Sequence, residues 1–293
     1  MELTAHNKGM RMNNVTIYHQ NIRSVTNKSD ELSIHLQSNH IGPHLICLTE
    51  HHLKESKIAK FSLAGYKLAS SFCRRESLGG GVCILITNKI MFQSIDLKQF
   101  CHEKTIEICA VKLHHKTTKL IIFCIYRAPA GNLNQFYDTL ENILNHLLQP
   151  CITFLICGDV NINLLSKHND VLKLLTFMNT FNLTQIVDFP TRINNNNGTL
   201  IDTVFVDTTL YDKIQVNPFI NGLSDHDAQS ICLQNINIGS QENVSKIKSR
   251  LINPYPTAFP YGNGMVLHFY QQQESSTTKT VHKVINRRLK AYV

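Results

Sequence analysis

At 293 residues and 43% hydrophobic content, the chain is long enough for one large domain with a packed core. No apolar run approaches the length of a membrane span, and the polar start from Met1 to Lys8 lacks a signal-peptide core; a nuclear or cytoplasmic protein, not secreted and without membrane contact, is expected. The net charge of +8 is uneven: residues 241–293 carry eight Lys/Arg against two Asp/Glu, so the rest is nearly neutral and charge alone gives no argument for nucleic-acid binding.

In chain order, residues 1–14 are polar and read as a flexible N-terminus. Val15 to Asn21 alternates as a strand. Ser29 to about Asn39 reads as a helix, with Leu32, Ile34 and Leu36 as its apolar residues and Gly42-Pro43 as its stop. Leu45 to Glu50 is a buried strand ending on a carboxylate, and Tyr66 to Phe72 a weaker one. Gly79-Gly80-Gly81 precedes a strong strand, Val82 to Thr87. A phosphate-binding loop needs Lys-Ser/Thr and a following helix, so these glycines are read as a tight turn or close packing.

Ile106 to His115 and Lys119 to Tyr126 read as a hairpin, and Tyr126-Arg127-Ala128-Pro129 closes its second strand. A helix from about Asn134 to Leu148 carries Phe136, Leu140, Ile143, Leu144 and Leu147 at helical spacing. The run Phe154 to Asn161 is the centre of the chain. A buried strand there delivers Asp159 and Asn161, which alternation would turn to one face. A carboxylate and an amide at that spacing can act on one phosphate, the acid handling a proton and the amide donating to oxygen. Gly-Asp after a strand is also ordinary turn chemistry.

A helix from Asp170 to Phe181 with Leu172, Leu175 and Phe177 follows, then a loop tip at Asn194 to Asn197 and a strand from Thr199 to Asp207 with Asp202 inside it. Gly222 to Asp227 turns into a last strand, Gln229 to Leu233. Six of the nine cysteines sit in strand-like apolar runs and no C-x-x-C occurs, so free buried thiols are expected. Beyond Gln234 the composition shifts to Pro, Gln and Ser. This gives a catalytic domain over 15–238 and a basic tail over 239–293, outside that fold, with an optional basic helix at its end carrying Val281, Val284, Ile285 and Leu289. Strands separated by helices and hairpins make an α/β protein, in which strand-end loops are where function is placed.

Seven motifs in order carry a resemblance: His19-Gln20-Asn21-Ile22-Arg23-Ser24, Leu48-Thr49-Glu50, Ile125-Tyr126-Arg127-Ala128-Pro129, Gly158-Asp159-Val160-Asn161, Pro190-Thr191-Arg192, Leu200-Ile201-Asp202 and Ser224-Asp225-His226. Together they resemble the exonuclease–endonuclease–phosphatase superfamily, nearest to the apurinic-type endonuclease domain of non-LTR retrotransposons. The resemblance implies a four-layer α/β sandwich, two mixed β-sheets flanked by helices. It implies a DNA endonuclease needing Mg²⁺ (or Mn²⁺) that leaves a 3′-hydroxyl nick. Glu50, Asn21 and Asp225 would hold the metal. Asp159, His226, Asp202, Tyr126 and Asn161 would be catalytic. Arg127, Thr191 and Ser224 would contact the DNA backbone or support the His226 loop. No obligate protein partner is implied. The Tyr/Phe-x-Asp-Asp signature of a polymerase is missing, so an endonuclease module without reverse transcriptase is expected. Two alternatives stay open: a silent nucleic-acid-binding remnant, and a phosphoesterase acting on a small phosphate or lipid.

Overall fold

The apolar runs build two six-stranded sheets in a computed structural model, which describes residues 12–38, 42–114, 119–194, 197–238, 257–261 and 264–268. The first half comprises β1 (Met12–Asn21), α1 (Ser29–Ser38), β2 (Leu45–Thr49), α2 (Glu55–Ile58), β3 (Tyr66–Phe72), β4 (Val82–Thr87), β5 (Phe92–Ile95), β6 (Glu107–His114) and β7 (Lys119–Tyr126). There follow α3 (Leu133–Leu147), β8 (Ile152–Asp159), α4 (Asn169–Thr180), β9 (Leu183–Gln185), β10 (Arg192–Asn194), β11 (Asn197–Thr199), β12 (Asp202–Asp207), β13 (Ile214–Phe219) and β14 (Ala228–Ile238).

The first sheet runs β13-β14-β1-β2-β4-β3 and the second β5-β6-β7-β8-β12-β9. Within each, one pair is parallel, β1 with β2 and β7 with β8, and the other pairs are antiparallel. Both sheets are therefore mixed, as expected. Their inner faces meet through Val15, Ile17, Leu45, Cys47, Ile84, Cys109, Ile122, Cys124, Leu155 and Cys157. The outer face of the first sheet packs Tyr18, Ile46 and Leu48 on Leu32 and Leu36 of α1. The outer face of the second packs Phe123, Phe154 and Ile156 on Phe136, Leu140 and Ile143 of α3 and on Leu174 and Met178 of α4. Strands covered on both faces read as unbroken apolar runs, which is why β2, β4, β7 and β8 are plain in the sequence. Burying one such aromatic or aliphatic side chain stabilises the fold by about 1.5–3 kcal/mol.

Several boundaries move. Residues 12–14, expected to be loose, belong to β1; residues 1–11 lie outside the described residues. Ile34 of α1 and Leu172 of α4 are exposed, at 61% and 67%; the face α4 buries is Val171, Leu174 and Met178. Asp202 opens β12 rather than sitting inside a strand, because β10 and β11 form a separate hairpin just before it. The cysteines of the described residues are free, five of the six in apolar runs are buried, and Cys232 is partly exposed. Residues 242–293 form a second unit, whose described part is an antiparallel pair, Thr257–Tyr261 with Gly264–His268. The optional basic helix at residues 281–293 lies outside the described residues.

Candidate active site

Topology gathers the polar residues. The parallel pairs end together, so Asn21 stands opposite Thr49 just before Glu50, and Tyr126 opposite Asp159. Strands β12 and β14 run against them and so begin at the same edge, with Asp202 opposite Asp159. Hydrogen bonds then join the two sheets at that edge. Asn21 Nδ2 donates to Glu50 Oε1 and to Asp159 Oδ2, both at 2.8 Å, and His226 Nδ1 lies 2.8 Å from Asp202 Oδ2. Gly158 is required one residue earlier: a Cβ there would come 1.9 Å from the Ile125 carbonyl oxygen of β7.

The Asp159–Asp202–His226 cluster is buried, its three ligand atoms lying within 4.8 Å of one another. Burial, and then the charge of Asp202, push the Asp159 carboxyl up to about 8. Burial opposes the charged form of His226, but Asp202 beside it raises the imidazole above its ordinary value. Asp202 Oδ1 is buried without a donor among the described residues. Behind this cluster, Gln20 Nε2 donates to the His226 carbonyl at 3.0 Å and Gln229 Nε2 to the Asp202 carbonyl at 2.9 Å. The buried His19 ring lies 3.2 Å from Gln229 Oε1, and burial lowers its pKa.

The Glu50 side is more open. Burial alone would raise Glu50, but hydrogen bonds from His52 and Asn21 hold it down to about 2. His52 Nε2 lies 3.2 Å from Glu50 Oε2. Asp225 takes Arg23 Nη1 at 2.7 Å and Arg192 Nε at 2.9 Å, and these partners hold it down to about 2 against the opposing effect of its partial burial. Arg23, Ser24, Glu50, His52 and Asn161 all have positive φ, between 43° and 77°. Backbone strain of this kind, about 1–3 kcal/mol per residue, concentrates at functional sites.

Three expected contacts differ. Arg127 does not face a phosphate: only 3% exposed, it donates to the carbonyls of Val160, Ala128, Gly131 and Asn161 and ties the β7 and β8 ends together. Thr191 is fully buried, its Oγ1 accepting from the N–H groups of Ile201 and Asp202, so it sets the start of β12 instead of touching substrate. Asn161 lies past the end of β8 in a left-handed turn, where strand alternation no longer applies. Its backbone N–H donates to Asp159 Oδ1 at 2.8 Å and its Nδ2 to the Arg127 carbonyl at 2.8 Å. Ser224 Oγ accepts from the His226 N–H at 3.2 Å, which supports the His226 loop. Tyr126 is 4% exposed, and burial, then the charges of Glu50 and Asp159, raise its phenol far above the ordinary value.

Sequence reasoning did not single out His52, Gln20, Gln229, Arg23 or Arg192. Gln20, Arg23 and Arg192 lie inside the quoted motifs, and position there was the signal; His52 and Gln229 are fixed by contacts that no local pattern encodes.

Oxygen donors of this kind suit a hard dication such as Mg²⁺. The donor set present is Glu50 and Asp159 on either side of the Asn21 amide, with the undonated Asp202 Oδ1 nearby. Those residues fit a cation. Among the described residues, however, the His, Cys, Asp and Glu side chains that bring three ligand atoms within 4.8 Å of one another are Asp159, Asp202 and His226, whereas Asp225 is engaged by two arginines and Asn21 turns its amide nitrogen, not its oxygen, to the carboxylates.

Residues 120–229 match the sequence model of a family described as Endonuclease-reverse transcriptase. No curated protein matches the chain in sequence. Among solved structures, the endonuclease domain of TRAS1, a telomere-specific non-LTR retrotransposon, superposes with a TM-score of 0.60 at 13% identity, covering 76% of this chain and 99% of that one. An AP endonuclease from Leishmania major gives 0.60 at 11% identity, over 76% and 88%. An AP endonuclease from Archaeoglobus fulgidus gives 0.56 at 13% identity, over 76% and 100%. The family match and the shared architecture agree with the ordered motifs: the chain carries the fold of the exonuclease–endonuclease–phosphatase superfamily.

Proposed function

We propose that the protein is a divalent-metal-dependent phosphodiesterase that hydrolyses DNA and leaves a nick with a free 3′-hydroxyl. The observation that carries this reading is the Asn21 amide, which joins Glu50 to Asp159, with the Asp202–His226 pair alongside. Mg²⁺ or Mn²⁺ held by Glu50 with neighbouring oxygens would polarise a phosphate oxygen and stabilise the leaving oxygen. Asp159 in its ionised form takes the proton of the attacking water, and its raised pKa makes that carboxylate a stronger base, since a general base works best with a pKa near the operating pH. His226, kept charged by Asp202, donates to a phosphate oxygen, and Tyr126 donates to charge developing there. Attack at phosphorus then breaks the bond to the 3′ oxygen.

Substrate choice rests on the rim. With Arg127 and Thr191 buried, Arg23 and Arg192 reach solvent beside the site, at 48% and 30%, and Lys28 lies next to Arg23, its Nζ donating to the Arg23 carbonyl. That thin charge favours a second reading, a small phosphate ester as substrate of the same centre. Nicking of supercoiled plasmid in Mg²⁺ and in EDTA, beside Asp159→Ala, separates the two. Metal-dependent nicks lost in the variant support the endonuclease. Intact plasmid together with hydrolysis of an aryl phosphate ester supports the smaller substrate.

A further inference from the structure

Arg74 follows β3 and is 7% exposed. Its Nε donates to Glu107 Oε1 at 2.6 Å and its Nη1 to the Leu78 carbonyl at 2.9 Å, while Nη2 has no partner among the described residues. Glu107 is fully buried, accepts from the N–H groups of Gly81 and Lys104, and stands opposite Tyr126 in the β6–β7 ladder. The guanidinium carbon lies 5.7 Å from the centre of the Tyr126 ring. The surrounding loop is clamped from two sides. Lys54 Nζ donates to the carbonyls of Arg74, Arg75 and Ser77, and Glu103 accepts from the N–H groups of Arg75, Glu76 and Ser77. Gly80 makes room for the arrangement, since a Cβ there would come 2.2 Å from Arg74 Nε.

A buried ion pair is a poor device for stability, because well-packed apolar side chains of the same volume serve as well or better. What this pair does that apolar side chains cannot is hold a cation against the ring of the site tyrosine. We propose that Arg74 is a positioning residue for Tyr126: anchored by Glu107, it orients the phenol and strengthens its hydroxyl as a donor to charge developing on the phosphate. This rests on the phosphodiesterase reading and assigns a role to residues that touch no substrate themselves.

The test is a double-mutant cycle on single-turnover phosphodiester cleavage, with KM measured alongside, for the wild type, Arg74→Met, Tyr126→Phe and the combination. Arg74→Met is expected to lower the cleavage step roughly tenfold with KM nearly unchanged. In the Tyr126→Phe background the same substitution is expected to cost less than about twofold. Arg74→Met leaves Glu107 buried without its partner, so Arg74→Met with Glu107→Gln, which removes both charges, is run through the same cycle and is expected to show the same coupling. A full loss that persists without the Tyr126 hydroxyl overturns the proposal, as does an unimpaired Arg74→Met enzyme; either leaves the phosphodiesterase reading standing. A folded wild type that cleaves no phosphodiester overturns both.

Discussion

The two halves of the site differ in how they hold charge. Around Glu50 and Asp225 the carboxylates are partly exposed, met by His52, Arg23 and Arg192, and held at about 2, fully ionised. Around Asp159 the environment is closed, a second carboxylate lies beside the first, and a proton is retained up to about 8. The same chemical group thus has two roles, set by solvent and neighbours: a fixed negative charge on one side and a movable proton on the other. Asn21, at the end of β1, touches both.

The largest expected effects lie in the buried half. Asp159→Ala or His226→Ala should lower cleavage by about a thousandfold or more, since each removes a group acting in the transition state. Circular dichroism should show the fold intact, and normal cleavage by either would erase the distinction between the halves. On the open side, Glu50→Gln should raise the Mg²⁺ concentration needed for half-maximal rate by roughly 10- to 100-fold. A metal titration reads this; an unchanged curve would move the cation to the Asp159–Asp202–His226 cluster.

The halves should also differ in pH dependence. Asp159 holds its proton to about 8 when folded against an ordinary 3.8, so between these values the folded state binds more protons than the unfolded one and stability falls as pH rises. His226, with its raised pKa, acts in the same direction, its contribution lost as pH rises through its folded value. Glu50 and Asp225, held at about 2, contribute stability that is present above their ordinary values and lost as pH falls toward about 2. In EDTA, Asp159→Asn should therefore flatten the decline toward about pH 8 and melt above the wild type there, while being inactive. A variant that melts at or below the wild type at that pH would contradict the buried-proton account.

Smaller effects separate the arginines. Arg127→Met should destabilise the fold by roughly 2–4 kcal/mol through loss of buried hydrogen bonds, read by urea unfolding. Arg23→Ala should leave stability within about 0.5 kcal/mol and weaken salt-sensitive DNA binding modestly. Removing residues 240–293, read with the same nicking assay, should spare the chemistry.

How much of this was legible depended on whether a residue's partners were local. Strands β4 and β7 lie at the positions read from their apolar runs, because burial on both faces leaves an unambiguous pattern, and β3, a half-buried edge strand, lies where its weaker run is read. Strand β13 escaped notice: it is an edge strand, half exposed and containing Pro218, which a sheet tolerates only at an edge. Asp159, Asp202 and His226 were found because each falls next to a strand boundary within a motif. The expectation that Arg127 contacts the DNA backbone missed its role because nothing in Tyr-Arg-Ala-Pro announces the carbonyls of Val160 and Asn161 arriving from more than thirty residues away. Arg74 was hidden for the same reason: its partners, Glu107 and Tyr126, come from a different sheet. The glycine run before β4 reads as a tight turn or close packing; Gly79, Gly80 and Gly81 all have positive φ, and Gly80 and Gly81 lie against Arg74 and His51.

The most direct test of the central claim is the chemistry of the nick. A supercoiled plasmid is treated with the purified protein in Mg²⁺ and then offered to a DNA polymerase without any prior end repair. If Glu50 and Asp159 serve one hydrolytic centre, the nicks carry 3′-hydroxyls and are extended at once, and no nicks arise in EDTA or with Asp159→Ala. Nicks that resist extension until a 3′-phosphate is removed, or no nicks at all from folded protein, would contradict it.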